Sequence, residues 1–176
     1  MTDTSVEMVD IVDEHDAVLY QTTKREAHEK GLLHRTVIVE VRDAEGRWVL
    51  TQQSSDRQDP GQYVSPVGGH VRAGEGIEDA LKREAEEECG LSDFKFKFKF
   101  VGRAIFNRFV KNRQENHYFI VHEIYAEASQ IQVNEESVGF RAFTEEELRT
   151  LLHQNPEMFG SPFHFVVKTF YPALWQ

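Results

Sequence analysis

The sequence predicts an α/β (α+β) chain in which helices flank a mixed β-sheet. Three observations carry that expectation. Short β-rich runs recur along the chain, Thr-x-x-Glu spacings at Thr23 and Thr144 mark helix starts, and strands and helices alternate without the regular strand-helix-strand rhythm of a wholly parallel sheet. A length of 176 residues suits one well-cored domain and is too short for two of ordinary size, so residues 1–176 are expected to form a single domain.

Met8 to Val12 and Ala17 to Gln21 read as short strands around a Glu14-His15-Asp16 turn. Thr23-Lys24-Arg25-Glu26 has capping-box spacing and opens a short helix through Lys30, with Gly31 as its stop. Residues 1–34 thus form an N-terminal strand-turn-strand-helix extension. Thr36 to Val41 and Trp48 to Gln53 are β-rich and are joined by Asp43 to Arg47, a hairpin by composition. Ser54 to Pro66 is a polar loop containing Pro and Gly. From Gly76 to Cys89 the residues are good helix formers apart from the first glycine. Phe94 to Phe100 alternates Phe with Lys, a period-2 pattern of a half-buried strand whose lysines guard a solvent face. Ala104 to Val110 and Tyr118 to Tyr125 pair around Lys111 to Gln114, and Val138 to Phe143 is a last strand. Thr144-Glu145-Glu146-Glu147 opens a helix through Leu152, and Ser161-Pro162 starts another that reaches toward Tyr171.

The formal net charge is −10, with no basic stripe to neutralise a phosphate backbone, so a nucleic-acid partner is not expected. A small anionic ligand is compatible with that charge, because the local field decides. The single cysteine, Cys89, excludes an internal disulfide and fits a reducing compartment and a packing role. The N-terminus lacks a basic segment followed by an apolar core, and no run approaches a membrane span. No membrane partner and a cytoplasmic location are therefore expected.

The helix after Gly76 carries an anomaly. At about 100° per residue, Glu84, Glu87 and Glu88 share a sector with Ile77, Ala80, Leu81 and Ala85. A solvated helix would place its acids on the far side, where Asp79, Lys82, Arg83 and Glu86 lie. Like charges such as Glu84 and Glu88 at i, i+4 cost about a few tenths of a kcal/mol, and more when desolvated. A hard divalent cation with oxygen ligands offsets such a cluster, and Mg²⁺ with substrate phosphates is the usual arrangement. Gly68-Gly69 allows close backbone approach to a ligand, and Gly90 stands where a helix ends on a left-handed residue.

Residues 69–91, GHVRAGEGIEDALKREAEEECGL, resemble the Nudix box, the signature G-x5-E-x7-R-E-U-x-E-E-x-G-U of a family of diphosphate hydrolases. Gly69, Glu75, Arg83, Glu84, Glu87, Glu88, Gly90 and Leu91 fall on their places, and Ala85 stands where a bulkier aliphatic residue is commoner. The resemblance implies the Nudix α/β/α sandwich and a pyrophosphohydrolase acting on acid anhydrides, with Mg²⁺ as cofactor and Mn²⁺ as an alternative. It makes Glu84, Glu87 and Glu88 the metal ligands, with the Gly69 carbonyl beside them. Glu84, Glu87 and Arg83 then form the catalytic set, Glu84 with a dual role and Arg83 orienting a glutamate. Glu75 takes an outer-shell role. His70, Arg57, Glu115 and Glu136 are outer-shell or substrate candidates. Family members often add an acid from outside the box, for which Glu115, Glu135 and Glu136 are candidates.

Residues 8–91 also resemble the isopentenyl-diphosphate isomerase branch of the same superfamily. In isomerases, histidines matching His28, His34 and His70 bind a metal and a cysteine just before the Gly-His is catalytic. This chain has Gly68 at the cysteine place, Glu115-Asn116-His117 near the later acid, and Gln52-Gln53 in place of an arginine pair. Isomerisation of a double bond needs an acid and a base on opposite faces, so the missing cysteine favours hydrolysis. On that reading His28 and His34 are helix-end and hairpin residues. A non-catalytic Nudix-fold sensor is the third alternative, although sensors commonly lose the box carboxylates that are intact here. The partner is a small-molecule diphosphate, such as a nucleoside diphosphate derivative, with Tyr63, Phe106, Phe109 and Tyr118 as candidate stacking residues. A homodimer is a further option that the resemblance implies.

Overall fold

The computed structural model describes residues 6–92 and 96–176. Among these residues nine strands form one mixed sheet around β3 (His34–Arg42). The long strand β8 (Arg113–Tyr125) runs parallel to β3 along its whole length, from His34 opposite His117 to Arg42 opposite Tyr125. Three antiparallel strands share the other edge of β3. These are β1 (Met8–Val12) at its start, β6 (Val67–His70) at its middle and β4 (Trp48–Gln53) at its end. Outside them, β2 (Val18–Thr23) pairs with β1, β5 (Tyr63–Val64) and β9 (Ser137–Phe143) pair with β4, and β7 (Lys99–Val110) pairs with β8.

Side-chain alternation along β3 divides the interior. Val37, Val39 and Val41 pack with Ala80, Leu81 and Ala85 of α2 (Ile77–Cys89), whereas Ile38 packs with Phe119, Val121 and Val166 on the opposite face. Val166 belongs to α4 (Ser161–Phe170), so helices cover both faces and the α/β/α expectation holds. A third cluster joins Trp48, Leu50 and Phe143 to Leu148 and Leu152 of α3 (Glu145–Gln154) and to Leu174 of the short α5 (Pro172–Trp175). With both faces covered, β3 is buried along most of its length, with Val37, Ile38, Val39 and Val41 apolar and His34, Thr36 and Glu40 buried beside them.

The expected helix starts are present. Thr23 caps α1 (Lys24–Lys30) by accepting from the Glu26 amide, and Thr144 caps α3 by accepting from the Glu147 amide, each at 3.1 Å. Gly31 and Gly90 close α1 and α2 at φ 65°, where a side chain would be strained. Among the described residues, no helix is long and apolar enough to cross a membrane.

Several boundaries differ from expectation. Phe94 and Lys95 lie outside the described residues, and Phe96 to Phe98 precede β7, whose pairing begins only at Lys99 opposite Glu123. Phe96 and Phe98 pack against the α2 side of the core, while Phe100 is exposed, so these three rings do not share one strand face. β7 and β8 are joined by a two-residue turn at Lys111 and Asn112, at φ 47° and 60°, which lets the polar residues Arg113 to Asn116 continue the strand. β6 was not foreseen, because Gly68-Gly69 has no β propensity of its own; it forms by pairing with β3.

Candidate functional site

β6 and α2 face each other with a glutamate between them. Gly69 sits in β6 opposite Val37, on the α2 side of the sheet. A Cβ added at Gly69 would lie 2.0 Å from the Glu84 carboxyl carbon, so this carboxylate occupies the space that the missing side chain leaves. Gly68 differs, since its Cβ would meet only the tip of Ile38, at 3.3 Å.

Arg83 organises the acids. Its Nε and Nη2 donate to the two oxygens of Glu75 at 2.8 and 2.9 Å, its Nη2 to the His70 carbonyl at 2.9 Å, and its Nη1 to Glu84 at 2.5 Å. Glu87 lies 3.6 Å from the same guanidinium. The expected i, i+4 contact is therefore present, but the fork on Glu75 is the better-made interaction. Burial pushes Glu75 up, yet hydrogen bonds from Arg83 and the Arg72 amide outweigh it and hold the carboxyl below its usual range. Glu75 is a strut for Arg83.

Burial raises Glu84, with Arg83 opposing and Glu87 reinforcing the shift. Glu88 is pushed well above the usual carboxylate range, first by desolvation and then by the charge of Glu84, although its Oε2 accepts from the Gly68 amide at 2.7 Å. Two acids raised by burial, Glu84 opposed by Arg83 and Glu88 opposed by the Gly68 amide and the charge of Arg57, form a site short of positive charge. Glu87 departs from the expectation that all three acids turn inward. Its side chain is 51% exposed, because it falls at the edge of the buried sector.

Of the outside acids, Glu136 lies on the box side. Its charge raises Glu88, and it pairs with Arg57 at 3.3 Å, whose own charge opposes that rise. Glu135 contributes its backbone carbonyl to Ser54. Glu115 is buried and clamped, accepting from Arg108 at 2.7 Å and from Arg113 at 2.8 and 3.1 Å. Arg108 also forks onto Asp59 at 2.7 and 2.9 Å, so Glu115 is a member of a closed ion network rather than a free acid. Of the stacking candidates Phe106 is core, and Tyr63 and Tyr118 are half-buried. Phe106 stacks on Phe119 at 5.0 Å, Tyr63 packs on Phe143 at 5.2 Å, and Phe109 is exposed.

Among the described residues, the one group of metal-ligating side chains whose atoms already converge is a set of histidines. His28 of α1, His34 of β3, His70 of β6 and His117 of β8 bring one ligand atom each within 4.8 Å of all the others. The Nε2 atom of His28 lies 3.2 Å from that of His117 and 3.3 Å from that of His70. Burial is the leading reason that all four rings are depressed, His28 to about 3 and His34 to about 4, so the cluster is neutral at pH 7. His28 does lie in the last turn of α1 and His34 at the start of β3, and the fold brings both into this buried group. Sequence reasoning missed His117, whose place opposite His34 depends on the parallel pairing of strands about 80 residues apart in the chain.

The model of the NUDIX domain family matches residues 32–161. An uncharacterized Nudix hydrolase of Streptomyces coelicolor is 44% identical over 99 residues, 54% of this chain and 55% of that protein. The uncharacterized Nudix hydrolase YfcD of Escherichia coli is 35% identical over 94 residues, 52% of each. The chain thus spans about half the length of the curated relatives it matches. A crystal structure from Deinococcus radiodurans superposes with a TM-score of 0.73 at 23% identity, covering 94% of this chain and 99% of that one. The MutT protein of Methanosarcina mazei gives 0.63 at 19% identity, covering 82% and 96%. These two likenesses show the fold.

Proposed function

The chain belongs to the NUDIX domain family, and from that premise we propose that it is a divalent-metal-dependent hydrolase of an organic diphosphate, with the acid cluster of α2 as its reactive centre. The observation that carries this reading is the Glu84 carboxylate lodged against Gly69 and fixed by Arg83, with desolvated Glu88 beside it. The donor set is all oxygen and anionic, which fits Mg²⁺, with Mn²⁺ as an alternative.

Glu84 and Glu88 would hold the ion, with the Gly69 carbonyl and Glu87 at its margin and Glu136 as the acid from outside the box. A diphosphate resists attack because its own charge repels a nucleophile, and the cation supplies the missing neutralisation. The protein's part is to position and deprotonate. Arg83 fixes the orientation of Glu84, and Glu75 fixes Arg83. Glu84, raised by burial, is suited to take a proton from an attacking water. Arg57 stands at the rim beside Glu136, where it can meet substrate phosphate.

The isomerase alternative is disfavoured at both of its reacting positions. Gly68 has no side chain, and the Glu115 carboxylate is occupied by Arg108 and Arg113. The test is a screen of nucleoside di- and triphosphates and diphosphate conjugates with Mg²⁺ and phosphate detection, run beside isopentenyl diphosphate. Release of phosphate or a phosphomonoester from at least one diphosphate, abolished in Glu84→Gln, is expected. Formation of dimethylallyl diphosphate with no hydrolysis would overturn the reading.

A further inference from the structure

We propose that Glu40 and Glu123 share one proton, and that this proton latches the C-terminal residues 171–176 onto the sheet. With the proton in place Tyr171 docks on Glu123; without it Glu123 turns to solvent and the segment opens. This does not rest on the hydrolase reading.

Parallel pairing sets the two acids side by side, Glu40 of β3 directly opposite Glu123 of β8, on the face of the sheet that α4 covers. Glu40 is 0% exposed. Ser65 donates to its Oε1, whereas its Oε2 is buried with no hydrogen-bond partner among the described residues. An ionised oxygen there gives up its hydration without return, but a protonated one is a donor beside an acid on the adjacent strand. The charged and titratable groups around the pair come from each neighbouring element. Arg42 lies on the same strand, its guanidinium stacked on Trp48 at 3.9 Å, and Lys99 of β7 stands exposed opposite Glu123. Tyr171 completes the set. Burial and its bond to Glu123 raise the phenol, so it remains a donor across the neutral range.

Tyr171 is the joint between α4 and α5. Its hydroxyl donates to Glu123 Oε2 at 2.5 Å, its ring meets Trp48 edge-on at 4.7 Å, and its carbonyl accepts from the Leu174 amide at 2.9 Å. The four-residue α5 is otherwise held by Leu174 in the Trp48 cluster and by Arg149 donating to the Ala173 carbonyl at 3.2 Å. A terminal turn with so few ties belongs to the low end of local stability. When the shared proton leaves, two carboxylates stand on adjacent strands. Glu40 is enclosed, whereas Glu123 is half-buried with Lys99 across from it, so Glu123 is the one that moves and Tyr171 loses its acceptor. Ser65 donates to Glu40 in either state, which leaves the approach to β6 unchanged. Because the closed segment binds the proton more tightly than the open one, closure is strongest at low pH. It weakens as the pH rises toward about 7, where burial has pushed Glu40, and is flat above.

The experiment is amide hydrogen exchange by NMR on the whole chain from pH 5 to 8.5, corrected for intrinsic rates and read at Leu174 and Gln176. In the wild type their protection should fall by about tenfold or more up to pH 7.5 and then level off, with both amides exchanging well before those of β3. Glu40→Gln, whose amide donates as the protonated acid does, should keep the segment closed at every pH. Glu123→Gln should do the same and decides if Glu40→Gln does not fold. Tyr171→Phe should be open throughout. His153 and His164 flank Trp175 at 5.1 and 5.8 Å, and a response that they supplied would persist in Glu40→Gln. Flat wild-type protection, a wild-type response in Glu40→Gln or Glu123→Gln, or exchange of the segment in step with β3 would each overturn the proposal.

Discussion

Glu84 fills the place where Gly69 lacks a side chain, the two residues meeting so closely that a methyl group at position 69 would stand 2.0 Å from the carboxyl carbon. Gly69→Ala should therefore expel Glu84 from its position and lower kcat by about 10² or more. Gly68→Ala, whose added carbon meets only the Ile38 methyl at 3.3 Å, should keep activity within a few-fold. Steady-state kinetics on the pair checks the assignment; equal effects at the two glycines would count against it.

Glu84→Gln and Glu88→Gln should each lower kcat by about 10² while leaving the fold intact. Burial already disfavours the charged form at both sites, so the neutral amide removes a strained charge rather than a core contact. Thermal melts with and without Mg²⁺ provide the second readout. The wild-type rise, which follows from binding to the folded state alone, should shrink in both variants.

Arg83→Ala should cost about 2–3 kcal/mol, because it strips hydrogen bonds from Glu75, Glu84 and the His70 carbonyl together. Arg83→Lys keeps the charge but not the planar fork, so it should recover only part of the stability and little of kcat. Urea unfolding beside kinetics separates the two, and full rescue by lysine would show that charge alone matters at this position.

Glu40 is a buried acid on β3 that accepts from Ser65 and is pushed up to about 7 by desolvation, with Arg42 opposing and Glu123 adding to the rise. Tyr171, which donates to Glu123 at 2.5 Å, closes the surroundings. Because the folded value exceeds the unfolded one, the folded state binds the extra proton between about 4.5 and 7. Stability from this group is thus greatest at low pH, falls across that window and is flat above it. Glu40→Gln should remove the decline. Relative to wild type it should gain on the order of 3 kcal/mol between pH 4.5 and 8, read as the difference between denaturation midpoints; a pH-independent difference would refute it.

The helix caps and the acid sector were legible because they depend on spacing within one helix or turn. Thr23, Thr144, Gly31 and Gly90 act on neighbours only a few residues away, and Glu84 and Glu88 turn inward by helical geometry. Features set by distant pairing were not legible. β6 exists because β3 offers an edge, His117 reaches His34 only through a parallel register, and Glu136 was separated from Glu115 only by which arginines each one meets. Glu87 marks the limit of the periodicity argument, since a sector shared on a wheel does not fix how deep each residue sits.

Alternation in the four residues of β6 sets the two chemistries back to back, Gly69 toward the acids of α2 and His70 toward the imidazoles. Strand parity makes this arrangement all-or-none. One residue inserted ahead of Gly69, with pairing to β3 kept, would turn the glycine to the histidines and aim an imidazole at Glu84. The count within β6 is therefore fixed by the two sites it serves, and grafts of this segment between relatives should be cut outside Val67–His70.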